Sequence, residues 1–98
     1  MSELISAGTA RAGVHPAQQW LEEMETWELI PPTERDTLLT VVTEAVDLAE
    51  AGQVEAGHEI LLTGLQRAED HWNGNPWGRD LVLSYQAALD RYRAFYSR

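Results

Sequence analysis

The 98-residue sequence contains no cysteine and no lysine, and its densest apolar cluster, Leu38-Leu39-Thr40-Val41-Val42, is short. Without cysteine there is no disulfide, no thiolate metal site and no cysteine nucleophile. Without lysine the basic set is 7 arginines, which face 16 acidic residues and leave a net charge of −9. That balance argues against non-specific nucleic-acid binding and against an anionic membrane surface, since both require positive charge. No stretch approaches the roughly 18 apolar residues of a membrane span. The start lacks the basic residues and apolar run of a secretory signal: Glu3 comes first, and only Leu4 and Ile5 are bulky and apolar nearby. The chain therefore reads as cytoplasmic, and its all-arginine, alanine-rich composition points to a GC-rich bacterial coding sequence.

Catalytic signatures are equally scarce. None of Ser2, Ser6, Ser84 and Ser97 sits in a Gly-x-Ser-x-Gly turn, and there is no glycine-rich phosphate loop. Ser84 falls in the middle of a helical stretch, where a hydroxyl bonds back to the preceding turn. Nothing assigns a catalytic residue or a cofactor, and the expectation is a non-enzymatic protein.

Helical periodicity is what the sequence does have. The spacing predicts an all-α, antiparallel bundle of four helices at about 16–29, 34–51, 53–72 and 76–96, forming a single domain over 14–98 behind a flexible tail at 1–13. Pro16 suits a first helical position, where its missing N–H is not needed. Ala17, Trp20, Leu21, Met24 and Trp27 then form one stripe, and Pro31-Pro32 ends it. Thr33 is placed to cap the second helix with Asp36 three residues on. Leu38, Val41, Val42, Ala45, Leu48 and Ala49 form its buried face, widened by Leu39 and Val46, and Gly52 stops it. The third helix carries Val54, Leu61, Leu65, Ala68 and Trp72, with Gly57 and Gly64 inside it, each costing about 1 kcal/mol against alanine unless another helix comes close. Asn73-Gly74-Asn75 reads as a turn, with Asn75 as cap and Pro76 first in the fourth helix, which carries Trp77, Leu81, Tyr85, Ala88, Leu89, Tyr92 and Phe95 or Tyr96. Connections this short make neighbouring helices antiparallel. No segment alternates with period two, so no sheet is expected.

Residues 38–71 hold small side chains at Ala45, Gly57 and Gly64, large apolar ones at Val41, Leu48 and Leu61, and Gly52 in the turn between them. In this they resemble a single tetratricopeptide-type helical hairpin. Glu44 stands where that family favours leucine and Glu69 where it favours proline, and there is no second copy at a period near 34. The resemblance implies a peptide- or protein-binding surface.

Charge is distributed unevenly along the chain. Residues 16–51 carry nine acids against Arg35 alone, whereas residues 61–98 carry four acids and five arginines. Glu22/Glu25, Glu25/Glu28 and Asp47/Glu50 are like-charge neighbours at i,i+3, each costing a few tenths of a kcal/mol, and Glu23 joins Glu22, Glu25 and Glu28 as a candidate interaction residue. One reading is a solvated face that aids solubility. Another is a docking face for a basic protein partner, whose extreme form is an acidic DNA-mimic inhibitor. A second candidate surface is the turn bearing Trp72, Trp77 and Arg79, residue types that dominate interface hot spots. A homodimer burying aromatic surface is the simplest version of the same idea. The alternative from another class is a metal-binding bundle assembled by dimerisation. Glu55 and His58 form one Glu-x-x-His pair, and di-metal bundles use two such pairs on separate helices.

Overall fold

The computed structural model describes residues 15–72, 74 and 76–96. The expected tail at 1–13 and the Asn75 cap lie outside the described residues. The fold is all-α: α1 (Pro16–Glu22), a 3₁₀ segment (Glu25–Leu29), α2 (Pro32–Glu50), α3 (Val54–Trp72) and α4 (Gly78–Tyr96), with no strand among the described residues.

α3 packs along both α2 and α4, which touch each other only briefly, while α1 lies against α2 and α4 and the 3₁₀ segment lies against α4. The core is a single cluster that includes Leu21, Ile30, Leu38, Val42, Val46, Leu61, Leu81, Leu89 and Tyr92. Two close approaches set the helix spacing. A Cβ on Gly57 would meet the Ala45 carbonyl oxygen at 2.6 Å, and one on Gly64 would meet Tyr85 Cε1 at 2.5 Å. The two glycines that lower helix propensity are thus the points where α2 and α4 press onto α3.

The α2–α3 turn closes as the sequence indicates. Gly52 has φ +88°. Its N–H donates to Ala49 O at 3.0 Å, and Gln53 N–H donates to Leu48 O at 2.8 Å. This is the paired pattern of a glycine-terminated helix.

Three boundaries differ from the expectation. The first helix does not run to residue 29: it stops at Glu22, and Met24 turns extended (ψ 137°) before the 3₁₀ segment. A continuous helix would crowd Glu22, Glu23, Glu25 and Glu28 into its negative C-terminal end, and residues 16–29 contain no base of their own to offset them. The break moves Glu25 and Glu28 into the first turn of a new segment, where negative charge is favoured. It also lets Ile30, 2 % exposed, reach the core. The second difference is at α2, where Pro32 takes the first helical position with Pro31 as cap residue and no side-chain cap bond forms. Arg35 N–H bonds Pro31 O at 2.9 Å instead, and Thr33 contributes only its carbonyl, to the Thr37 hydroxyl. Third, Pro76 and Trp77 belong to the turn and α4 begins at Gly78, which lies against the Trp72 backbone.

Candidate functional site

Of the acidic residues singled out from the sequence, Glu22 ends α1, Glu23 is its C-cap, and Glu25 and Glu28 lie on the 3₁₀ segment. Glu22 accepts a hydrogen bond from Gln18 Nε2 at 2.9 Å. Glu23 accepts from Arg91 at 3.0 Å, and the same guanidinium nitrogen bonds Trp20 O at 3.1 Å. Glu25 and Glu28 are exposed, as are Asp36 and Glu44 on α2. Arg35, the lone cation of this half, is committed elsewhere. It donates from Nε to Ile30 O at 3.1 Å and from Nη2 to Glu28 O at 3.3 Å, and its guanidinium lies 6.0 Å from the centre of the Trp27 ring. A guanidinium fork suits two carbonyls at a chain reversal, so this arginine ties the 3₁₀ segment to α2.

The other candidates lie at the α3–α4 corner. Trp77 is half-buried against the core, whereas Trp72 is 44 % exposed and Arg79 is exposed. Trp77 is thus the packing ring and Trp72 the one presented to solvent. Leu29, Leu83 and Phe95 are also exposed large apolar residues. Phe95 stands edge-on to Trp20, with ring centres 5.8 Å apart. The periodicity leaves Phe95 or Tyr96 as the last residue of the core stripe; Tyr96 packs against the core and Phe95 does not, while nothing in the spacing marks Leu29 or Leu83 as outward-facing.

Glu55 and His58 share a depression of about 430 Å³ with Val54, Tyr92, Arg93 and Ala94. His58 Nε2 accepts a hydrogen bond from Arg93 Nε at 3.1 Å. A metal ion at that nitrogen would have to displace a guanidinium. No group of three or more His, Asp or Glu placed to hold a metal ion occurs among the described residues.

Several polar contacts were not legible from spacing. His15 caps α1, its Nδ1 accepting from Ala17 N–H at 3.0 Å. The ring proton must then be on Nε2, which donates to Asp47 at 2.9 Å. Ser84, fully buried, donates to Asp80 O at 2.9 Å and so accepts from the Thr26 hydroxyl at 2.6 Å. The back-bonding expected of a mid-helix serine is present, and it anchors the 3₁₀ segment to α4. Tyr92 donates to Val54 O at 2.5 Å and Tyr96 to Glu50 at 2.9 Å. Burial holds the Tyr92 hydroxyl above its ordinary pKa. Burial, then the Glu50 hydrogen bond and charge, do the same at Tyr96.

Among the described residues no helix is long and apolar enough to cross a membrane. Compared with known protein families, curated proteins and solved structures, the chain matches none.

Proposed function

We propose that this chain is a small non-enzymatic interaction module whose acidic edge, formed by α1, the 3₁₀ segment and α2, docks a basic protein partner. The commitment of Arg35 to backbone carbonyls carries this reading. The one cation within residues 16–51 neutralises no carboxylate there, and Glu25, Glu28, Asp36 and Glu44 face solvent. Such a field speeds encounter with a positively charged partner and fades with salt. The resemblance of residues 38–71 to a tetratricopeptide-type hairpin supports the same class of function, since such hairpins bind peptides or proteins.

The test is capture on immobilised protein at about 0.01 M and about 0.15 M salt, where the screening length falls from about 30 Å to about 8 Å. It is repeated with a Glu25→Lys/Glu28→Lys/Asp36→Lys variant whose helicity is checked by circular dichroism. Glu23 is left intact because it pairs with Arg91. The expected result is a basic protein retained at low salt and lost both at higher salt and on charge reversal. Retention indifferent to both changes would show that the edge is only a solvated surface.

A further inference from the structure

Buried hydroxyl groups are normally hydrogen-bonded, because an unpaired one loses its water without recompense. Two of the three tyrosines on α4 follow this rule, Tyr92 through Val54 O and Tyr96 through Glu50. Tyr85 does not. It is only 5 % exposed, yet its hydroxyl has no hydrogen-bond partner among the described residues. The ring has a packing role, since it fills the space left by Gly64. A phenylalanine would fill that space equally well, so the packing does not account for the oxygen.

Tyr85 lines a notch of about 220 Å³ where the start of α2, the end of α3 and the first turns of α4 meet. Its apolar lining is Gly64, Ala68 and Leu81, and Glu34 and Arg67 stand on its walls beside Thr37 and His71. Both charges act on the Tyr85 hydroxyl: beyond the dominant effect of burial, Glu34 pushes its pKa up and Arg67 pulls it down. Glu34 and Arg67 nevertheless do not pair with each other; their separation exceeds the 4.0 Å of an ion pair. An anion, a cation and a neutral hydroxyl therefore border one small cavity, and none of the three has a hydrogen-bond or ion-pair partner among the described residues.

We propose that this notch binds a small zwitterion of the α-amino-acid type, with its ammonium against Glu34 and its carboxylate held by Arg67 and the Tyr85 hydroxyl. A guanidinium fork and a phenolic O–H are matched to a carboxylate. A ligand with a single charge would satisfy one wall and be opposed by the other. The volume lies below the roughly 300–1,000 Å³ of sites for drug-sized ligands, which limits the occupant to a few heavy atoms beyond its charged ends. The site is independent of the acidic-edge reading.

The experiment is titration of the full chain with the common amino acids, followed by ligand-observed NMR and calorimetry, with acetate and methylamine as single-charge probes. The expected result is saturable binding of at least one amino acid with Kd below about 1 mM, and at least tenfold weaker binding of both probes. Tyr85→Phe should weaken binding about tenfold while melting no lower than the parent, because it removes a hydroxyl that the fold leaves unpaired. Arg67→Gln, a change at an exposed position, should abolish binding in a folded protein. Three results would each overturn the proposal: no amino acid binds at about 1 mM, the single-charge probes bind equally well, or binding survives Tyr85→Phe unchanged. A Tyr85→Phe variant as destabilised as Tyr92→Phe would also overturn it, by showing that the hydroxyl has a structural partner.

Discussion

At the scale of single residues, the sign of a glycine-to-alanine change separates packing from accident. A helical glycine without a packing role gains about 1 kcal/mol on replacement by alanine. Gly57 and Gly64 should lose stability instead. At Gly57 the new methyl would stand 2.6 Å from the Ala45 carbonyl oxygen, and a helix backbone cannot turn aside as a side chain does. Overpacking of this kind costs about 1–3 kcal/mol, so even after the propensity gain Gly57→Ala should lower the unfolding free energy by about 1 kcal/mol or more. At Gly64 the obstacle is the Tyr85 ring, which tilts at smaller cost, so the loss should be smaller. Gly52→Ala meets nothing within 4 Å but must hold φ near +88°, a strain of about 1–2 kcal/mol. Urea titrations of the three variants rank them. A stabilised Gly57→Ala would refute the close approach. Tyr92→Phe belongs to the same series: losing the bond to Val54 O should cost about 1 kcal/mol, and the unpaired carbonyl adds to this if water does not reach it.

At the scale of elements, Arg35 is where the structure departs most from a sequence reading. A lone base amid nine acids looks like an ion-pair partner, yet it closes the chain reversal between the 3₁₀ segment and α2. Arg35→Ala should cost about 1–2 kcal/mol, and hydrogen exchange should show faster opening of the Trp27–Ile30 amides than of α3. Arg35→Lys should rescue little, because an ammonium does not span both carbonyls as the fork does. Slow exchange of those amides in Arg35→Ala would remove the arginine from this role. The α2–α3 turn and the long helices were legible because each rests on local rules: a 3.6-residue stripe, Gly52 as terminator, and prolines near helix starts. The end of the first helix is hidden in the sequence because its apolar stripe persists across the break. Trp27 keeps its place beside the core while the backbone changes type at Met24. The acidic edge could be counted from the sequence, but the Tyr85 notch could not. It depends on which helices meet, and spacing gives the face of a helix without naming its neighbour.

At the scale of the whole molecule, the absence of lysine and cysteine isolates one titration. Arginine ionises above about pH 12 and an α-amino group near 8, so between roughly pH 9 and 12 only tyrosines release protons. There are three of them in the chain, all on α4. Each is held above the ordinary value of 10.0 in the folded protein, and at all three burial is the leading cause. In the unfolded chain they return to about 10. Above that pH the unfolded state binds fewer protons than the native state, so the slope of stability with pH is negative. The stabilisation is therefore complete below about pH 10 and is lost as pH rises towards and through the raised folded values. Each phenolate also adds to an already net-negative molecule, so self-repulsion works in the same direction. Urea midpoints measured at about pH 8, 10 and 11 should be flat over the first interval and fall over the second. Tyr96→Phe should flatten that fall most, because Tyr96 is displaced furthest and donates to Glu50. Removing the hydrogen bond should also lower the plateau slightly, which distinguishes a lost contact from a lost titration. A midpoint unchanged from pH 8 to 11 would mean that the three hydroxyls ionise freely in the folded state, and hence that the α4 contacts at Val54 and Glu50 are not held in solution.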